Sequence, residues 1–260
     1  MGGWDMSRQL TSGVLGRKKN LAVSLANKYI SRVLSDGGTV QDESIVLSIY
    51  QDLIDSDEYD SCEIFYHESA GFKLTGNAID KAYDLSKHKR DSSDHPSYKP
   101  TLDNGIVFSN SYLRVDDYFY PNVAIRMTSE ITPAVTSQRA GIVFTGADNS
   151  GRGGIFIQLR DGGWRINTAI GDGSPIAITQ DTATVSAAGV RQNYLVEWDG
   201  ETGANMKVIF AGNTTNSTTT QGDWFDDISD RSFQIGGRLT PPFDLYNGKI
   251  HFLRINSKIL

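Results

Sequence analysis

Asn193-Tyr-Leu-Val-Glu-Trp-Asp-Gly200, followed by Met206-Lys-Val-Ile-Phe210, is the stretch on which the fold turns. In the first run Tyr194, Val196 and Trp198 take every second position, and in the second Met206, Val208 and Phe210 do the same. Successive side chains of a strand point to opposite faces, so an apolar set with a period of two predicts a strand with one buried face. Asp199-Gly200 lies between the runs and supplies residues that tolerate φ > 0, which predicts that the chain reverses there and pairs the two strands antiparallel.

The same pattern continues outward. Val123, Ile125 and Met127 alternate with polar neighbours, as do Ile155, Ile157 and Leu159. Asp148-Asn-Ser-Gly151, Asp161-Gly-Gly163, Gly171-Asp-Gly173 and Asn247-Gly248 punctuate the runs with turn residues. No helical period of useful length follows residue 105, and no βαβ alternation occurs anywhere. Residues 105–260 are therefore expected to form an antiparallel sandwich, and 11 Phe, 11 Tyr and 4 Trp suffice to fill its core.

This wording resembles laminin-G and concanavalin A-like domains, in which an aromatic strand turns at Asp-Gly into its partner. Phe233-Gln-Ile-Gly-Gly237 and Asn247-Gly-Lys-Ile-His-Phe-Leu-Arg-Ile255 resemble the closing strands of that superfamily. The resemblance implies a mainly β fold, an antiparallel jelly-roll sandwich, here preceded by a short α-helical N-terminal segment. Upstream, Lys81-Ala-Tyr-Asp-Leu-Ser86, Asp91, Asp94 and the stretch from Pro100 to Phe108 are similar to segments that precede such sandwiches in tailed-bacteriophage structural proteins.

The N-terminal region divides further. Residues 1–19 hold four glycines and no period, as a flexible or partner-ordered arm does, with folding back on its own domain as the alternative. Residues 1–22 carry a charge of +3 within a chain of net charge −6, so the remainder is acidic and phosphate attraction is confined to the arm. Trp4, Arg8, Arg17, Lys18 and Lys19 are its candidate anchoring residues. From Asn20, a residue able to cap a helix, Leu21, Leu25, Tyr29 and Val33 recur every four residues, and Gly37-Gly38 ends the helix. Thr39-Val-Gln-Asp42 resembles a capping box for a second helix with the stripe Val46, Ile49, Tyr50, Leu53 and Ile54, which completes a helical hairpin over 20–60. Residues 61–104 read as a connector with short ordered pieces.

Chemistry is sparse. The resemblance brings to mind sandwich glycosidases, whose catalytic carboxylates lie in E-x-D-x-x-E; Glu197-Trp-Asp199-Gly-Glu201 is one residue short of it. His67, His88, His95 and His251 fit no metal-ligand spacing, and Gly151-Arg-Gly-Gly154 lacks the Lys-Ser/Thr of a phosphate loop. Catalysis and cofactors are accordingly not expected. Asp223, Asp226, Asp227 and Asp230 crowd one loop that could hold Ca2+, against the simpler reading of an acidic surface. Trp164, Trp224 and Phe225 are candidates for stacking on a sugar. Cys62 is the single cysteine, which excludes an internal disulfide. Without a signal peptide in view, the Asn213-Thr-Thr and Asn216-Ser-Thr triplets read as a polar loop.

The expectation is a non-enzymatic virion component made in the host cytoplasm. Its N-terminal region would dock on other virion proteins of capsid, neck or tail, and as a homo-oligomer it would present the sandwich for host-surface adhesion or particle stabilisation. No membrane and no nucleic acid is expected as a partner. A free-standing carbohydrate-binding lectin is the alternative, and a sandwich glycosidase the third reading.

Overall fold

The computed structural model describes residues 6–94, 99–115, 124–135, 140–145, 154–160, 163–169, 175–176, 187–198, 206–210, 213–217, 233–236 and 246–257. The chain begins with α1 (Met6–Ser35), β1 (Thr39–Val40), α2 (Glu43–Asp55), β2 (Cys62–His67), β3 (Gly71–Thr75) and β4 (Ala78–Ala82). It continues with β5 (Ser92–Asp94), β6 (Thr101–Leu102), β7 (Ile106–Ser109), β8 (Leu113–Val115), β9 (Ile125–Pro133) and β10 (Ala140–Thr145). β11 (Gly154–Arg160), β12 (Gly163–Ala169), β13 (Pro175–Ile176) and β14 (Gln192–Trp198) follow. β15 (Met206–Phe210), β16 (Asn213–Ser217), β17 (Phe233–Ile235) and β18 (Asn247–Asn256) close it.

The fold is mainly β, and its pairings are antiparallel, as the alternation predicts. β14 and β15 are the neighbours read from the sequence, with Tyr194 opposite Phe210 and Trp198 opposite Met206. β18 is the central strand. One of its edges pairs with β9 along nearly its whole length. The other pairs first with β7 and then with β2. β14 extends this layer beyond β9, and β15 and β16 extend it further. The chain then curls over through β17, which bridges β8 and β10, so the sheet faces itself as a half-barrel.

Between the two walls lies the core, built from Ile64, Tyr66, Phe108, Ile125, Met127, Ile131, Tyr194, Val196, Ile250, Leu253 and Ile255 among others. Each such side chain taken from water is worth about 1.5–3 kcal/mol, which makes the alternation the main determinant of register. The burial along β9 switches between buried and half-buried at every residue, so Ile125, Met127 and Ile131 face inward while Arg126, Thr128, Glu130 and Thr132 face outward.

A second apolar cluster sits on the outside of this sheet. β2 is buried on both faces: Ile64 and Tyr66 enter the sandwich, whereas Phe65 packs with the helices. All five residues of the predicted α2 stripe are buried there. For α1 the face is Ala22, Ala26, Tyr29 and Val33; Leu21 is 50% exposed and Leu25 only partly covered, so half of the predicted stripe lies one residue off. Alanine permits close approach, and at Gly71 an added Cβ would stand 2.6 Å from Val33 Cγ2.

Several boundaries differ from the sequence reading. α1 is continuous from Met6, so the division at residue 19 falls inside a helix and Asn20 is not its cap. The cap of α2 is Asp42 rather than Thr39: its carboxylate accepts from Ser44 N and Ile45 N, while Thr39 opens β1. Gly37-Gly38 does end α1, with Gly37 at φ +77, Gly38 N donating to Val33 O and Gly37 N to Leu34 O. The supposed connector 61–104 contributes β2 to the central layer and β3 to β6 to the opposite wall. Asn247-Gly248 begins β18, as the resemblance of 247–255 to a closing strand implies, rather than standing in a turn between strands, and an added Cβ at Gly248 would meet Thr132 O at 2.5 Å. Asn213 to Ser217 are strand β16, not a loop.

Candidate functional site

The helices cover only the β2 end of the outer sheet face. Beyond them the outward side chains of β18, β9, β14 and β15 remain open, and register sets them side by side: Phe252 opposite Glu130, Thr128 opposite Leu195, and Leu195 opposite Ile209. Together with Arg191 and Asn193, Thr128, Leu195, Ile209 and Phe252 line an open groove of about 670 Å³. Its floor is apolar at Leu195, Ile209 and Phe252, and polar at Thr128 and Asn193. Val190, 48% exposed, stands at its rim. Thr128 Oγ1 has no hydrogen-bond partner.

Ion pairs flank the groove on both sides. At one end Arg191 reaches Glu68 at 3.2 Å and bonds to Glu130, and the Glu130 bond above all raises its already high pKa. At the other end Glu197 accepts from Lys207 at 3.0 Å and lies 3.5 Å from Arg126. Glu58, almost fully buried, pairs with Arg254 at 2.8 Å and with Arg126 at 3.6 Å. Glu197, which the sequence places in the nearest approach to a glycosidase pattern, is thus held by two cations.

His251 forms a separate arrangement that no sequence spacing announces. It is the extra residue where β18 slips register against β9, between Ile250 and Phe252. Its Nδ1 lies 2.8 Å from Glu68 Oε2 and its Nε2 2.8 Å from Thr132 Oγ1. A hydroxyl, an imidazole and a carboxylate in line is the order used to activate nucleophiles. Here the ring is 5% exposed and Gly105 closes on it so nearly that an added Cβ would meet Cε1 at 3.3 Å. The line therefore works as a clasp that fixes the bulge. His67, whose pKa burial lowers, stacks on Phe252 with 6.4 Å between ring centres.

A third polar cluster joins the helices to the sheet. The buried Asp84 carboxylate accepts from Phe65 N at 2.8 Å, Ser86 N at 2.9 Å, Ser86 Oγ at 2.5 Å and Arg90 N at 2.8 Å. Burial nevertheless pushes its pKa up to about 6. Arg32 of α1 forks both oxygens of Asp91 at 2.6 Å and donates to Asp84 O at 2.7 Å. Tyr29 Oη donates to Tyr83 O and accepts from Gly71 N, and Tyr50 Oη donates to Leu85 O. The Lys81 to Asp91 stretch that reads as a polar connector is thus the docking strip for the hairpin. The Asp84-Leu-Ser86 spacing, which suits an aspartate folding back on its own backbone, is the sequence mark that could have identified it.

Of the residues singled out from the sequence, Arg17 and Lys19 are exposed on α1, and Lys18 pairs with Asp57 at 3.0 Å. Arg8 lies on α1 and Trp164 on β12, opposite Leu159; their side chains are outside the described residues. Trp4, Asp223, Trp224, Phe225, Asp226, Asp227 and Asp230 lie outside the described residues altogether. Among the described residues no group of three or more histidine, cysteine or acidic side chains is placed to hold a metal ion. Cys62 is buried, and burial raises its thiol pKa. No described helix is long and apolar enough to cross a membrane.

No protein-family model matches the sequence, and no curated protein matches it. Solved structures do. Trypanosoma rangeli sialidase in complex with sialic acid aligns with a TM-score of 0.53 at 11% identity, over 77% of this chain and 31% of the sialidase. A mutant of NanB sialidase from Streptococcus pneumoniae aligns with a TM-score of 0.50 at 10% identity, over 60% of this chain and 26% of that one. The CBM40 of Ruminococcus gnavus IT-sialidase, bound to α2,3-sialyllactose, aligns at 0.46 and 13% identity over 53% and 77%. The chain spans under a third of either sialidase. At these identities the likeness is one of fold alone, a mainly antiparallel β-sandwich of the kind the alternation over 193–210 predicts.

Proposed function

We propose that the chain is a non-enzymatic, lectin-like component of a tailed-phage particle, seated through α1 and presenting the outer face of its sheet to a glycan-bearing surface. The carrying observation is that α1 outruns its support. Ala22, Ala26, Tyr29 and Val33 are buried against the body, yet Leu15, on the same helix face, is 65% exposed, with Arg17 and Lys19 beside it. A 30-residue helix is about 45 Å long at ~1.5 Å per residue, more than twice α2, and its exposed Arg17 and Lys19 suit contact with an acidic neighbour. Phage membership rests on the likeness of residues 81–108 to segments of phage structural proteins. The fold shared with a sialidase solved with sialic acid suits glycan contact, and the two cations that hold Glu197 favour binding over hydrolysis.

The test is co-sedimentation with particles that lack this component, comparing the full chain with a Leu15→Asp, Arg17→Glu, Lys19→Glu variant. All three positions are exposed, so the variant keeps its fold. The wild type is expected to pellet and the variant to lose at least about tenfold in bound protein. Equal pelleting overturns the anchor, and failure of both to pellet overturns the particle assignment in favour of a free-standing lectin.

A further inference from the structure

Resting on that reading, we infer that the groove over β18, β9, β14 and β15 is the glycan site and that it takes a neutral pyranose rather than a carboxylated sugar. A pyranose presents axial C–H groups on one face and hydroxyls around its edge, so it needs a small apolar floor with polar groups beside it. Leu195, Ile209 and Phe252 make that floor, and Phe252 is held from the side by His67, opposite it on β2, and edge-on by Phe65. Asn193 is exposed, with an amide that both donates and accepts. Thr128 Oγ1 lies in the groove wall shut off from water and without a partner, a hydroxyl that only a group pressed against the wall would satisfy, and its strand positions are fixed by β14 on one side and β18 on the other. These are features of a ready-formed site for an uncharged, hydroxyl-rich ligand.

The preference for a neutral ring follows from the charges. Each described cation on this face is already matched: Arg191 by Glu68 and Glu130, Lys207 by Glu197, Arg126 by Glu58 and Glu197, Arg254 by Glu58. A ligand carboxylate that approached Arg191 would come against two carboxylates that hold it and would have to displace one of them. Asn193 and Thr128 carry no charge and impose no such penalty on hydroxyls.

The experiment uses the full chain on an array of neutral, sialylated and uronic oligosaccharides. Saturation-transfer NMR and calorimetry then follow on the strongest neutral hit and on 3′-sialyllactose, at low and high salt. A neutral oligosaccharide is expected to bind, with an affinity that salt leaves unchanged within about twofold. Asn193→Ala, at an exposed position, is expected to weaken it about tenfold, and Leu195→Glu to abolish it. 3′-Sialyllactose bound more tightly and in a salt-sensitive way would overturn the neutral assignment. Neutral binding that survives both variants would place the sugar elsewhere. No binding to any sugar, while the protein still pellets with particles, would overturn the groove inference and leave the anchoring role standing; loss of pelleting with sugar binding intact would do the reverse.

Discussion

One sheet face is treated in two ways along its width. At β2 the outer face carries Phe65 and lies under α1 and α2, and the polar groups around it are deeply buried and satisfied from several sides. At β9 and β14 the outer face carries Thr128, Glu130, Leu195 and Glu197, half-buried, with charges matched in loose pairs and one hydroxyl left over. The difference is the cost of desolvation. Under the helices a carboxylate has lost its water and needs four donors. On the open face Arg191 and Lys207 keep part of their water, so their ion pairs cost less desolvation and the surface stays available to a ligand, while Thr128 Oγ1 is shut off from water and has no partner.

The sharpest way to break the covered half is Asp84→Ala. It strips the acceptor from Phe65 N, Ser86 N, Arg90 N and the Ser86 hydroxyl in a buried setting. Orphaned buried donors cost about 1–3 kcal/mol each, and partial relaxation brings the expected loss to roughly 4 kcal/mol. For a chain of this size that lowers Tm by on the order of 10 °C. Thermal unfolding measures it, and amide exchange should show α1 and α2 losing protection before β9 and β18. A loss below about 1 kcal/mol would mean that the apolar cluster alone docks the hairpin.

A smaller effect separates the junction from the surface by pH. Burial raises Asp84 to about 6 in the folded chain, above its unfolded value, so the folded state binds its proton more tightly. The stabilisation is fully present below the unfolded pKa near 4 and is lost as pH rises through about 6, a change of about 3 kcal/mol at ~1.4 kcal/mol per unit. Asp36 behaves in the opposite sense: hydrogen bonds from Tyr83 and Lys81 lower it to about 2, so its contribution is present above pH 4 and disappears as pH falls through 2. Denaturant unfolding between pH 4 and 7 should therefore show stability declining with pH in the wild type. The decline should be absent in Asp84→Asn, which has nothing to titrate; an unchanged slope would remove Asp84 as its cause.

Legibility in the sequence followed the same divide. Alternation at Tyr194 and Val196 and at Ile125 and Met127 was sufficient for the sandwich, because burial on one face imposes a period of two on the residues themselves. The α2 stripe was equally clear. In α1 the buried face runs through Ala22 and Ala26, which carry little hydrophobicity, so Leu21 and Leu25 drew the helix one residue round. β2 escaped notice because it is covered by the helices on one side and the sandwich on the other, and a strand buried on two faces has no alternation to read; β3 to β5 are too short, at three to five residues, to show one. The groove was out of reach for another reason. Thr128, Arg191, Asn193, Ile209 and Phe252 come from four strands and a loop, and only register makes them neighbours.

The smallest expected effect tests the open half. Lys207→Ala removes the 3.0 Å partner of Glu197 on a side chain that is 44% exposed, and Arg126 remains 3.5 Å away to share the carboxylate. Partly exposed pairs are worth about 0.2–1 kcal/mol, so Tm should shift by no more than about 3 °C and far less than in Asp84→Ala. The variant also alters the charge balance beside the groove by one unit without touching its floor. Affinity for a neutral sugar should then stay within about twofold of wild type. A loss of several kcal/mol would show that the outer face is structurally closed like the helix junction, and the contrast between the two halves of the sheet would fail.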